Sequence, residues 1–475
     1  MKRLVLFAIA LALVATAGSA AIKPAALFSD NAVLQQGIAV PVWGTADNGE
    51  RVTVTFQSQE LSTTAKDGRW MVRLAPLKAG GPFTMTISGS LAGSSMIALS
   101  NILVGEVWVC SGQSNMQFGL KSASNGPEAV ASATNPKIRL FSVPLKTSYT
   151  PLDDMQASWA LCSPETAKSF TAVGYFFGRD LSKARNIPVG LINSSWGGTF
   201  AEAWTSPEGF KAMPDYGSWV ADENSKKPTG PNHPSVLYNA MINPLIPYAI
   251  KGAIWYQGES NAGAAFKYRT LFPMMIKSWR DAWGEGDFTF LFVQLAPFMK
   301  INPEPEESAW AELREAQLLT TKTSPKAGMA VITDVGDPGN IHPTKKEPVG
   351  GRLALAARGI AYGQNIVYSG PIYKGMKRSG ASIMLYFDNV GGGLVAKDGD
   401  LKGFTVAGAD KKFVNATAKI IGGNKVVVSS PSVTNAVAAR YGWANCPVVN
   451  LFNAEGLPAS PFRTDDFPML TAPKK

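Results

Sequence analysis

The spacing of apolar residues changes twice along this chain, and each change marks a different architecture. From about Pro24 to Ser100, polar and apolar residues alternate over short runs separated by Gly, Asn and Asp turns. Arg51-Val52-Thr53-Val54-Thr55-Phe56 has the period of two expected of a half-buried strand, and Gly68–Leu74 repeats it. Gly80-Gly81-Pro82 marks a turn before a further strand. Residues 21–102 therefore read as a small antiparallel β-domain, suited to packing or to binding carbohydrate.

Beyond Val104 the strand candidates become continuously apolar. They are Val107–Cys110, Val189–Asn193, Ala253–Tyr256, Thr289–Val293 and Met329–Thr333. Helical segments separate them, including an amphipathic stretch from Phe170 to Leu181 and an Ala-, Leu-, Glu- and Gln-rich one from Ser308 to Thr320. Such strands suit a parallel sheet covered on both faces, so residues 103–363 read as an α/β domain. Ligands of such sheets lie beyond the strand C-termini. After about Gln364 the period of two returns, in Ser382–Phe387 and Lys425–Ser429, and residues 364–475 read as a third, mainly β region.

Before the first strand stands a leader-like segment. Met1-Lys2-Arg3 precedes an apolar run from Leu4 to Ala17 and the small residues Gly18-Ser19-Ala20-Ala21. That is the layout of a secretory signal peptide over residues 1–20, cleaved after Ala20 or Ala21. The run is short for a membrane span, which needs about 20 residues, and no other segment qualifies. The expected location is periplasmic or secreted. The formal charge of +10 includes Lys2 and Arg3, and the other basic residues are scattered. Without a patch, this charge argues for solubility rather than for a nucleic-acid partner. Cys110, Cys162 and Cys446 exclude a dense disulfide framework but leave room for one pair and one free thiol. No CxxC pair or histidine cluster suggests a metal, and no cofactor is implied.

Four polar segments fall at probable strand ends: Gly112-Gln113-Ser114-Asn115, Asn193 to Thr199, Gln257-Gly258-Glu259-Ser260-Asn261, and Asp334 to Pro343. Acyl transfer needs a nucleophile, a base and donors aimed at the developing oxyanion. Ser114 supplies a hydroxyl at a strand-to-helix junction. The chain has only two histidines, so the base is His342 or its rival His233, which sits between Asn232 and Pro234 in a loop that better suits the rim. Gly198 can bring a backbone N–H close, and Gln257 could offer its side-chain amide beside the Ser114 N–H. Asp337 is the preferred group to orient the imidazole and Asp334 the rival; the spacing does not choose between them, and a backbone carbonyl is the alternative to both. Asn115, Trp196, Glu259 and His233 are candidates for lining the substrate. Trp196, Trp204, Trp255 and Tyr256 are candidates for stacking on sugar rings.

At these residues the chain resembles the sialate O-acetylesterase group of SGNH-type carbohydrate esterases, particularly bacterial members. The resemblance runs from Phe28-Ser29-Asp30, Val33-Leu34-Gln35-Gln36 and Val42-Trp43-Gly44 through Trp108–Met116 and Asn193–Gly198. It continues in Pro234–Met241, Trp255–Asn261, Leu313–Gln317, Ile341-His342-Pro343 and Pro461–Asp465. It implies a central flavodoxin-like α/β/α domain flanked by β-modules, with Ser114 as nucleophile, His342 as base, and Gly198 and Gln257 lining the oxyanion hole. The group's aspartate three residues before the histidine is replaced here by Gly339. The implied partner is an acetylated mono- or oligosaccharide, 9-O-acetyl sialic acid or acetylated xylan or xyloglucan fragments. A reading of another class is a non-catalytic carbohydrate-binding or scaffold protein built on the β-regions.

Overall fold

The computed structural model describes residues 22–91, 96–213 and 230–473; the expected signal peptide lies outside them. Six parallel strands form the heart of the structure. Across the sheet they run Asn135–Ser142, Val189–Ser195, Ile97–Gly112, Gly252–Tyr256, Thr289–Val293 and Ala327–Ala330. Trp159–Cys162 adds an antiparallel edge beside Asn135–Ser142. In chain order the first strand lies third, so its successors run to one side and the later strands to the other. The crevice beyond the end of Ile97–Gly112 is thus the topological switch point, where ligands of open α/β sheets bind.

Successive residues of these strands serve two cores, as the pleat requires. Val107, Val109, Ala253, Trp255, Phe290 and Phe292 face one layer, which includes helices Ala265–Trp283 and Ala309–Thr323. Trp108, Cys110, Ile254, Tyr256, Leu291 and Val293 face helices Ala172–Arg185 and Glu347–Ile360. The result is the expected α/β/α sandwich with a parallel sheet. Local chemistry sets several helix ends. Thr171 and Ser308 accept hydrogen bonds from Gly174 and Ala311 N–H as N-caps. Asn186 and Gly284 end two helices in the left-handed conformation.

The junction read at 102–103 falls inside the strand Ile97–Gly112. Its first half pairs with Gly80–Gly89 and Val33–Gln35, and its second half is the central strand. The N-terminal β layer and the central sheet therefore share one continuous backbone. The C-terminal sheets have a core of their own around Ile383, Leu385, Val406, Val428 and Phe462. They are sewn on by buried arginines from two of the resembling motifs. Arg314 donates to the carbonyls of Leu295, Ala296, Ala444 and Asn445. Arg463 pairs with Glu315 at 2.9 Å, and Arg440 with Asp465. Cys110, Cys162 and Cys446 are each buried and unpaired, so the pair for which the composition left room is not formed.

Candidate active site

Gly112 ends the central strand at φ +131°, and a side chain there would meet the Tyr256 carbonyl at 2.2 Å. Only glycine lets the two neighbouring strands end so close together. The chain then turns through Gln113 into the short helix Ser114–Gln117. That turn leaves the Ser114 hydroxyl half-exposed beyond the sheet.

The residues around Ser114 draw three loops onto it. Gln113 Oε1 accepts N–H groups of Gly258 and Ser260 at 3.4 and 3.3 Å. Gln117 Oε1 accepts the Gly197 N–H at 2.9 Å. Asn115 Nδ2 donates to Glu259 Oε1 at 2.5 Å and to the Ile341 carbonyl at 3.0 Å. His342, next in the chain, places Nε2 at 2.8 Å from Ser114 Oγ. The serine and histidine, 228 positions apart, share one hydrogen bond.

The His342 loop is wound by two Asx turns. Asp337 Oδ1 accepts the Gly339 N–H and Asn340 Oδ1 the His342 N–H, at 2.8 and 2.9 Å. Asp337 therefore shapes the loop, and Asp334 is held by Arg352 through two bonds of 2.6 Å. Among the described residues neither carboxylate bonds the imidazole, so both expectations for the orienting acid are corrected. Burial, then the nearby Lys346 ammonium, holds the His342 ring below the usual histidine range. The ring is thus neutral, and able to accept a proton, at pH 7.

Gly198 lies on the exposed loop beside Ser114 at φ +72°, with open space where a side chain would project. Trp196 is half-buried there, its N–H bonded to the Gly112 carbonyl at 3.0 Å. Asn232 clips the neighbouring loop to Gly198 O and Phe200 N. His233 is exposed on that loop, edge-on to Tyr149 at 5.3 Å, and does not pair with the serine.

Other expectations change. Gln257 is fully buried, and its amide donates to Thr199 O and Asn261 Oδ1 at 3.1 and 2.6 Å. Both N–H groups are occupied, so it braces the loop and has no donor left for an oxyanion. Asn115 is also fully buried and lines nothing. Trp204, Trp255 and Tyr256 show no exposed surface; Trp204 and Trp255 pack edge-to-face at 6.1 Å in the core. Stacking on sugar is left to Trp196 alone of the four. Sequence reasoning missed Gln113, Gln117 and Lys346 as organisers. The density of amide side chains directly after an apolar strand was the available signal.

A serine–imidazole pair at the switch point of an α/β/α sheet is an arrangement suited to acyl transfer, the chemistry of carboxylic ester hydrolases. Residues 104–357 match the family described as carbohydrate esterase, sialic acid-specific acetylesterase, and the chain belongs to it. The sialate O-acetylesterase of Mus musculus is 31% identical over 489 residues, covering 89% of this chain and 90% of that protein. The Homo sapiens protein of the same name is 32% identical over 486 residues, covering 92% and 91%. The crystal structure of a carbohydrate acetylesterase from Xanthomonas citri superimposes with a TM-score of 0.86 at 42% identity. It covers 94% of this chain and 100% of that one.

Proposed function

We propose that this chain is an exported serine esterase that removes acetyl groups from O-acetylated sugars, with Ser114 as nucleophile and His342 as general base. The observation that carries this reading is the 2.8 Å contact between Nε2 and Oγ, within the reach needed for proton transfer. In its base form His342 carries its proton on Nδ1 and leaves Nε2 to accept. Ser114 Oγ attacks the acetyl carbonyl as its proton passes to Nε2. The tetrahedral oxyanion is met by the Ser114 N–H, one of the amides a first helical turn leaves unpaired, and by the Gly198 N–H. Collapse expels the sugar alkoxide, which takes the proton from His342. A water, deprotonated by the same ring, then attacks the acyl-enzyme; acetate leaves as Ser114 Oγ takes the proton back from His342.

Trp196, half-buried on the loop that Gln117 ties down beside Ser114, supports a sugar as the leaving alcohol. The family description and the mammalian relatives make O-acetyl sialic acid the first substrate to test. Acetylated xylan or xyloglucan fragments compete because the bond cleaved is the same. Export is supported by the leader-like residues 1–20, and no helix among the described residues is long and apolar enough to cross a membrane. Acetate release across defined sialosides, xylo-oligosaccharides and xyloglucan fragments, paired with an organophosphonate probe, tests the reading. Turnover of one class together with labelling at Ser114 is expected. Glycan binding without acetate release or labelling would establish the scaffold reading instead.

A further inference from the structure

Directly behind the serine lies a buried polar cluster that the chemistry above does not use. Lys346 has no exposed surface, an uncommon place for an ammonium. Its Nζ donates to Asn115 Oδ1, and the rings of Phe118 and Tyr256 lie 4.9 and 5.2 Å away. Asn115 passes the interaction on through Nδ2 to Glu259 Oε1 and to the carbonyl of Ile341. The other Glu259 oxygen is buried without a hydrogen-bond partner among the described residues.

Every acceptor and donor of the Asn115 amide is therefore committed to a different element. Its own backbone follows Ser114, and the carbonyl it holds precedes His342. The two reacting groups are each one residue from a single amide. Neither aspartate holds the imidazole, and this amide links the residues directly beside Ser114 and His342.

We propose that Asn115, with Lys346 and Glu259 behind it, is a positioning unit that sets the register of Ser114 against His342. The unit touches no substrate and acts only through the two groups it aligns. This inference rests on the Ser114–His342 reading. A displacement of about 1 Å in a reacting pair can cost about a hundredfold in rate, so a tether of this kind has kinetic weight. The groups facing the Lys346 ammonium are Glu259, Asn115, His342 and the rings of Phe118 and Tyr256. Burial holds that ammonium down to about 7, with Glu259 opposing the fall. Its charge in turn lowers His342.

The test uses the full chain, with kcat and KM for acetate release measured for Asn115→Ala, Lys346→Met and the double variant. Melting temperature and circular dichroism report folding, and Ser114→Ala is the control. For Asn115→Ala, kcat is expected to fall about 10- to 100-fold with KM within about threefold, because alignment and not binding is lost. In Lys346→Met the acid limb of kcat/KM is expected to move to higher pH, since a cation that lowers His342 is gone. The double variant is expected to lose no more than the worse single one, as members of one unit are not additive. Unchanged kcat in folded Asn115→Ala, an unmoved acid limb in Lys346→Met, or multiplicative losses would overturn the proposal. If Lys346→Met does not fold, the kcat of Asn115→Ala decides. Activity surviving in Ser114→Ala would instead remove the underlying reading.

Discussion

The two ends of the parallel strands offer two polar sites, and among the described residues only one brings a serine hydroxyl and an imidazole together. At the end where the strands begin lies a cavity of about 720 Å³, lined by Glu106, Arg185, Lys251, Glu285, Lys326 and Tyr362 among others. Several of its charged groups are already engaged. Glu106 accepts hydrogen bonds from Gln35 and Gln36 at 2.8 and 2.7 Å, and Arg185 and Lys251 lie over the Tyr362 ring at 3.9 and 5.1 Å. At the other end the Ser114 hydroxyl and the His342 ring find each other on a half-exposed surface. Space and charge alone do not mark a reactive site. What marks it is a nucleophile and a base held together with open room beside them.

The sharpest break in this comparison is Ser114→Ala. Acetate release is expected to fall by about 10⁴-fold or more while the melting temperature stays near that of the parent. Near-normal turnover would move the chemistry elsewhere, and the cavity at the other end would have to be reconsidered.

The pH profile gives a more modest effect. Only neutral His342 accepts the serine proton, and its ring is held low by burial and by Lys346. The kcat/KM profile should therefore stay level through neutrality. It should fall only as pH drops through a value below the ordinary histidine value of about 6.5. An acid limb at or above that value would contradict the burial of the ring. The smallest effect belongs to the opposite cavity. Glu106→Gln should leave kcat/KM within about twofold of the parent, any cost appearing in stability instead. A large kinetic loss with intact folding would show that the two ends are coupled.

Much of the scaffold was legible because burial writes itself into local patterns. The strands Arg51–Phe56, Thr289–Val293 and Lys425–Ser429 have the boundaries that their apolar spacing predicts. Helix Ala309–Thr323 begins after the cap Ser308, as its composition implies. Helices Ala265–Trp283 and Glu347–Ile360 were not announced in the same way. Pro273 lies inside the first, and Gly350 and Gly351 weaken the propensity of the second. A contact explains one of these glycines: a side chain at Gly350 would sit 2.6 Å from Phe176 Cβ, so its absence lets two helices meet.

By itself, the sequence singled out the candidate pair, Ser114 and His342. Ser114 follows an apolar strand, two histidines are all the chain contains, and the motifs around Ser114 and His342 resemble those of a known family, so residue type, scarcity and resemblance together narrowed the choice. Tertiary structure alone decided which polar side chains were free. Gln257 spends its amide on Thr199 and Asn261, Asp334 is taken by Arg352, and Asp337 folds its own loop. Each of those partners, Asp337's apart, comes from a segment remote in sequence or from the far side of a turn. A hydrogen-bonding group advertises its capacity in sequence, but whether that capacity is already spent depends on which neighbours the fold delivers.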